Sequence, residues 1–263
     1  MSATVRSEKS GPVTTVLVDR PEVRNAVDRA TAAALLDAFL AFERDPAADV
    51  AVLWGAGGAF CSGADLESVA AGGADWLDDL RFPADPSSAL PPGPLGPTRL
   101  ALAKPVIAAV AGPAVAGGME LALWCDLRVI EESAYFGVYC RRWGIPLLDG
   151  GTVRLPRLVG QGRALDLILT GRKVPAAEAL AIGLCERVVP DGTSRAAAEA
   201  LAQEIARFPQ SCLRADRASV HRQGGLPLRE ALRQEFEGSL DIVRREGIAG
   251  ARRFVSGEGR HGA

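Results

Sequence analysis

The chain has 263 residues, of which 48% are apolar and 24% charged, a balance that excludes a largely disordered protein. A formal net charge of −2 argues against a nucleic-acid binder. No apolar run approaches the roughly 20 residues that cross a bilayer, and Met1–Arg6 lacks the apolar stretch of a secretory leader, so a cytoplasmic location is expected. Five widely spaced cysteines (Cys61, Cys125, Cys140, Cys185, Cys212) form no C-x-x-C pair, so neither a disulfide framework nor a structural zinc site is indicated; no metal is expected. Only two histidines, His221 and His261, leave little room for imidazole chemistry. The length allows one large α/β unit or a core with a smaller appendage.

In chain order, Val13–Val18 is expected to be a strand closed by Arg20-Pro21, followed by a helix over 28–44. Asp28 or Asn25 can cap that helix, with Leu35, Leu36, Phe39, Leu40 and Phe42 as its buried stripe. Val50–Trp54 is a short apolar strand, followed by a glycine-rich turn and a short helix near 65–71. Residues 83–97 hold six prolines and form a surface loop. Pro105–Ala111 is the next buried strand, leading through a second glycine-rich turn into a helix over 117–125 and then the strand Leu127–Ile130. After a helical pair and a returning strand, Cys185–Val189, the rest is helical: 193–207, 210–222, 227–244 and 247–255. Strands that read as continuous apolar runs suit a sheet buried on both faces. The pattern divides into an α/β core over 1–190 and a helical region over 191–263. Leu228, Leu232, Phe236, Leu240 and Val243 form one stripe that must be buried against something, either this chain or a neighbouring subunit.

The two turns are Gly55–Leu66 and Ala111–Leu121. Each follows a buried strand and opens a helix, so each offers backbone N–H groups to a negative oxygen. Phosphate is disfavoured, because Gly112-x₄-Gly117-Gly118 lacks the lysine and the hydroxyl residue of a P-loop. Glycine alone can serve a tight turn. Two such turns, each giving one N–H, make an oxyanion hole.

Phe60-Cys61-Ser62-Gly63-Ala64-Asp65-Leu66 and the block from Lys104 through Gly117-Gly118-Met119-Glu120-Leu121 to Cys125-Asp126 resemble the two signature segments of the crotonase (enoyl-CoA hydratase/isomerase) family. The resemblance runs over about 10–255 and is weakest in the proline-rich loop. It implies an α/β spiral of ββα turns with a C-terminal helical trimerisation region, giving a homotrimer or a dimer of trimers. It implies an acyl-CoA thioester substrate, with coenzyme A as part of the substrate and no separate cofactor. It places the N–H groups of Ala64 and Gly117 on the thioester oxygen and makes Glu120 an acid/base residue. It further implies a substrate-binding set of Arg24, Ala26, Ala64, Asp65, Leu66, Gly117, Gly118, Cys140 and Phe254.

One departure stands out. Aligning Phe136-Gly137 and Gly150-Gly151-Thr152 without gaps puts Cys140 where the family's hydratases carry a second glutamate, and a neutral thiol does not polarise water as a carboxylate does. Asp149-Gly150-Gly151-Thr152 resembles the D-x-G-T of the family's dienoyl-CoA isomerases, so Asp149 is a candidate partner for Glu120; it could equally cap the helix that follows. Glu120 has its own plain alternative, a carboxylate stabilising a helix N-terminus. The expected activity is enoyl-CoA hydration, with double-bond isomerisation or acyl-CoA binding without hydration as alternatives.

Overall fold

The structure, a computed structural model, describes residues 4–72 and 75–257. It comprises two compact units, Met1–Ala206 and Arg207–Ala263.

The first unit is built on a six-stranded sheet of order β1-β2-β3-β4-β6-β9, made of β1 (Val5–Ser10), β2 (Val13–Val18), β3 (Val50–Gly55), β4 (Val106–Val110), β6 (Leu127–Glu131) and β9 (Arg187–Val189). β1 pairs antiparallel with β2, and every other pairing in this sheet is parallel. Side chains alternate across the pleat into two apolar layers. Val16, Ala51, Leu53, Ala108 and Val110 face the layer that takes in Leu35 and Phe39 of α1 (Arg29–Arg44). Val13, Val50, Val52, Ile107 and Ala109 face Ala198, Leu201 and Ala202 of α7 (Ser194–Ala206). Burial on both faces is why β2 and β4 read as unbroken apolar runs. α1 begins as expected, with the Asp28 side chain accepting from the Thr31 amide at 2.8 Å.

Two differences from expectation have simple causes. β1 carries Arg-Ser-Glu-Lys-Ser in exposed positions, so it has no apolar signature; its charges suit a sheet edge. The boundary between units falls after Ala206 rather than at 190/191, because α7 supplies the apolar cover for the second sheet face. A smaller sheet, β5-β7-β8, joins β5 (Pro113–Val115) parallel to β7 (Tyr135–Gly137), with β8 (Val174–Pro175) antiparallel on β7. The remaining helices of this unit are α2 (Leu66–Gly72), α3 (Gly117–Trp124), α4 (Gly151–Val159), α5 (Gln161–Thr170) and α6 (Ala176–Ala181). β3 and β4 are parallel neighbours, so the segments that follow them leave the sheet at the same end. Both glycine turns lie there.

The second unit contains α8 (Gln210–Arg222), α9 (Leu228–Ile242) and α10 (Ile248–Val255), with one π-helical turn, Val243–Gly247, joining the last two. None of these helices has a buried residue. Among the described residues, no helix is long and apolar enough to cross a membrane.

Candidate active site

The first turn is held by side chain and backbone together. Asn25, buried and in the left-handed region at φ 57°, donates through Nδ2 to the Ala56 and Ala59 carbonyls at 2.8 and 2.7 Å. Its Oδ1 accepts from the Arg20 amide at 2.8 Å. The chain then runs beside β5, with the Cys61 amide donating to the Pro113 carbonyl and the Val115 amide donating to the Cys61 carbonyl. Gly63 follows at φ +93°, so close to the second turn that an added Cβ would sit 2.8 Å from the Gly117 nitrogen. Val27 takes the groups on either side of Ala64, donating to the Gly63 carbonyl and accepting from the Asp65 amide. Strand alternation therefore turns the Ala64 N–H away from Val27.

The second turn ends at Ala116, whose amide donates to the Gly137 carbonyl at 2.8 Å. Ala116 has φ 53° and ψ −127°, a conformation that costs a residue with a Cβ about 1–3 kcal/mol. It is the N-cap of α3, so Gly117 is the first helical residue and its N–H has no partner inside the helix. Among the described residues, neither the Ala64 nor the Gly117 N–H donates to a backbone acceptor. The two donors thus sit side by side at the positive end of α3.

Both border a cavity of about 720 Å³ with a mainly apolar wall, which includes Leu66, Val69, Leu77, Leu95, Tyr139 and Trp143. Of the residues singled out from sequence, Ala64, Asp65, Leu66, Gly117, Glu120, Cys140 and Asp149 line it. Three do not. Gly118 lies against the first turn, where an added Cβ would come within 2.0 Å of the Cys61 carbonyl oxygen, so it permits packing rather than contact with a ligand. Ala26 is buried, and its carbonyl accepts from Arg20 at 2.6 Å. Arg24 is exposed at the end of a short 3₁₀ turn, its carbonyl accepting from the Ser62 amide at 3.1 Å. Phe254 is an exposed residue of α10 in the second unit. Asp65 lines the cavity but is spent locally: Oδ1 accepts from the Glu67 and Ser68 amides at the start of α2, and Oδ2 pairs with Arg20 at 3.1 Å.

The cavity wall also includes residues that sequence reasoning missed, among them Val27, Asp28, Arg29 and Leu95. The first three lie at the entry to α1, next to the Arg24–Ala26 segment already singled out. Leu95 lies in the proline-rich loop and carried no signal; its Cδ1 would be 2.4 Å from a Cβ added to Gly117.

Two carboxylates are buried in this wall. Glu120, 3% exposed, accepts at Oε1 from the Asp149 amide at 2.9 Å and the Gly151 amide at 2.7 Å. Burial first, then the Asp149 carboxylate, push its pKa up to about 7 against the pull of those amides. Asp149, 5% exposed, accepts at Oδ1 from the Leu95 amide at 3.0 Å and from the Thr98 hydroxyl. Burial raises its pKa, opposed by the bonds from Thr98 and Leu95 and by the charges of Arg99 and Arg154. It does not cap α4, whose N-cap is Gly150 at φ 94° with no side-chain bond. The capping alternative is thus corrected: the carboxylate reaches across to the proline-rich loop. Cys140, on the 3₁₀ turn Tyr139–Trp143, is held as a neutral thiol by burial and by the Glu120 charge. Among the described residues, no cluster of His, Cys, Asp and Glu could hold a metal ion.

Paired N–H donors beside a buried carboxylate that titrates near neutrality form a site for building up and discharging negative charge on a carbonyl oxygen. The family model described as enoyl-CoA hydratase/isomerase matches residues 8–249, and the chain belongs to that family. Enoyl-CoA hydratase EchA19 of Mycobacterium tuberculosis is 35% identical over 242 residues, covering 89% of this chain and 86% of that protein. Carnitinyl-CoA dehydratase of Salmonella typhi is 36% identical over 242 residues, covering 91% and 88%. The crystal structure of enoyl-CoA hydratase EchA1 from Mycobacterium marinum superposes with a TM-score of 0.87 at 31% identity, covering 97% of this chain and 96% of that one. The fold is the crotonase α/β fold with a C-terminal helical region, as the signature segments implied.

Proposed function

We propose that the protein is an enoyl-CoA hydratase, adding water across the 2,3 double bond of an enoyl-CoA thioester to give the 3-hydroxyacyl thioester. One observation carries the reading: Glu120, with a pKa raised to about 7, shares a cavity with the adjacent Ala64 and Gly117 N–H groups. In this scheme one buried carboxylate takes a proton from water as its oxygen bonds to the β-carbon. The double-bond electrons move toward the thioester oxygen, where the two N–H groups meet the developing charge. The carboxyl then returns the proton to the α-carbon, and the enolate collapses. Each such N–H is worth about 3–4 kcal/mol of barrier in comparable acyl chemistry, and acid–base assistance typically contributes about 10²–10⁴-fold. Glu120 is assigned the proton transfer and Asp149 the second carboxylate, because both line the cavity and burial raises the pKa of each.

A second reading is favoured by Cys140, which lines the cavity as a neutral thiol where the family's hydratases have a glutamate. Double-bond isomerisation of an enoyl- or dienoyl-CoA needs proton transfers at carbon and no held water. A family member that binds acyl-CoA without hydrating it is the third possibility. Neither hydration nor isomerisation calls for a cofactor beyond the CoA of the substrate. The exposed guanidinium of Arg24 is assigned to the CoA phosphates, and Phe254 to the adenine end. The exposed apolar stripe of α9 supports assembly with further copies of the chain; the assembly proposed is a trimer or a dimer of trimers, and the proposed location is the cytoplasm. Crotonyl-CoA, longer enoyl-CoAs and dienoyl-CoAs, each incubated with purified protein, test the reading. Hydration adds the mass of one water, isomerisation leaves the mass unchanged and alters dienyl absorbance, and no product from any of them contradicts both enzymatic readings.

A further inference from the structure

We infer that Thr98, a buried residue outside the cavity wall, is a positioning residue: its hydroxyl and the Leu95 amide together fix Oδ1 of Asp149 and leave Oδ2 as the oxygen that faces substrate. The inference rests on Asp149 as the second carboxylate of the proposed reaction and deepens that assignment.

Thr98 is 1% exposed on the 3₁₀ turn Pro97–Arg99, which closes the proline-rich loop. The loop is drawn tight over Asp149 by reciprocal backbone bonds between Gly93 and Gly96, both 2.9 Å. A Cβ on Gly93 would sit 1.8 Å from the Thr98 hydroxyl oxygen and 2.9 Å from Asp149 Oδ1, so only glycine lets the backbone come so near the pair. Arg154 of α4 holds the two segments together from the other side. Its Nη1 donates to the Asp149 carbonyl at 2.8 Å and its Nη2 to the Thr98 carbonyl at 2.7 Å. Backbone and side chain of Thr98 are therefore both bound to the Asp149 segment, across 51 residues of sequence. A threonine hydroxyl that donates to a carboxylate oxygen favours the ionised form. The same loop touches the oxyanion donors, because the Leu95 side chain lies over Gly117. The proline-rich loop thus sets the second carboxylate and covers the neighbouring N–H.

Among the described residues, four charged or titratable groups face Asp149: Glu120 from α3, Cys61 from the first turn, Arg99 from the same 3₁₀ turn and Arg154 from α4. Burial pushes the Cys61 thiol up to about 12, and the two arginines contribute positive charge. Glu120, raised to about 7, and Asp149, raised from its ordinary value, are therefore the pair left to exchange protons at this site.

The test is Thr98→Val, which deletes the hydroxyl and keeps the shape, with Thr98→Ala as a second deletion. The measurements are kcat and KM for the turned-over enoyl-CoA across pH, beside circular dichroism. Loss of a hydrogen bond to a charged group predicts a fall in kcat of roughly 10- to 100-fold near neutral pH, with KM little changed and the acid limb shifted to higher pH. Thr98→Ser should restore the profile. In an Asp149→Asn background, Thr98→Val should cost less than about 2-fold more, because its effect passes through the carboxylate. An unshifted profile in a folded Thr98→Val enzyme overturns the inference. So does an equal loss in both backgrounds, or unfolding of both deletions. Full activity of Asp149→Asn would instead remove the assignment of Asp149 on which the inference stands.

Discussion

Glu120 and Asp149 of the first unit are 3% and 5% exposed, whereas Leu228 and Phe236 of the second, both apolar, are 75% and 66% exposed. Each arrangement is unfavourable for the isolated chain. Burying a carboxylate costs desolvation, and an apolar stripe in water forgoes about 25 cal/mol for every Å² left uncovered. Backbone strain is distributed in the same uneven way. The three non-glycine residues with positive φ among the described residues, Arg24, Asn25 and Ala116, all lie in or beside the two turns that frame the cavity. The first unit thus gives up stability inside itself, at the place where charge must be handled. The second gives it up on its surface, where the proposed assembly would recover it. Mutations should therefore separate the two: changes at the site trade activity against stability within one chain, and changes on α9 alter association alone.

Apart from loss of the Glu120 carboxylate itself, the largest effect is expected from Gly63→Ala. Its Cβ would press on the Gly117 nitrogen at 2.8 Å, and φ +93° is strained for alanine, so the paired donors should be displaced. Turnover should drop about 10²–10³-fold, the usual loss of one oxyanion donor; steady-state kinetics on the turned-over enoyl-CoA measure it.

The next is a pH effect on stability. The Glu120 pKa of about 7 lies above its ordinary 4.5, so the folded chain binds this proton more tightly than the unfolded one. The stability so gained is complete below about pH 4.5 and is lost as pH rises through about 7, a change of about 3 kcal/mol for the group taken alone. Asp149 is shifted the same way and adds to it. Thermal unfolding of wild type and Glu120→Gln at pH 5 and pH 8 should show the variant gaining on the wild type at the higher pH. A constant difference would mean that Glu120 is solvated in the native protein.

For the second unit, Phe236→Asp should lower the mass in light scattering to that of a smaller species while leaving the far-ultraviolet dichroism of the chain intact. A wild-type protein that already has the mass of one chain would contradict the proposed assembly. The smallest effect belongs to Ala116→Gly, which relieves the strain at φ 53° and should raise stability by about 1 kcal/mol, read from denaturant midpoints.

Sequence made the core and the two turns legible because their determinants are local. Asp28 caps α1 where a cap was expected, and the apolar runs of β2, β3 and β4 are buried as their composition requires. The signature segments led to Ala64, Gly117 and Glu120, all of which line the cavity. What stayed hidden depends on contacts distant along the chain. Asp149 reads equally as a partner of Glu120 and as a helix cap, and what decides between the two, its bonds to Leu95 and Thr98, lies more than 50 residues away. Gly118 was grouped with Gly117, but a helix turns by about 100° per residue, and one step moves it from the cavity to the Cys61 carbonyl. β1 was missed because an edge strand is kept polar.

The central claim is that Glu120, beside the Ala64 and Gly117 amides, carries out proton transfer on an enoyl-CoA. Its most direct test is the rate of product formation from crotonyl-CoA by wild-type protein and by Glu120→Gln, with the product mass followed in each. The account predicts a product heavier by one water from the wild type, and a folded Glu120→Gln protein slower by about 10²–10⁴-fold with unchanged acyl-CoA affinity. Equal rates of hydration by the two proteins would contradict it.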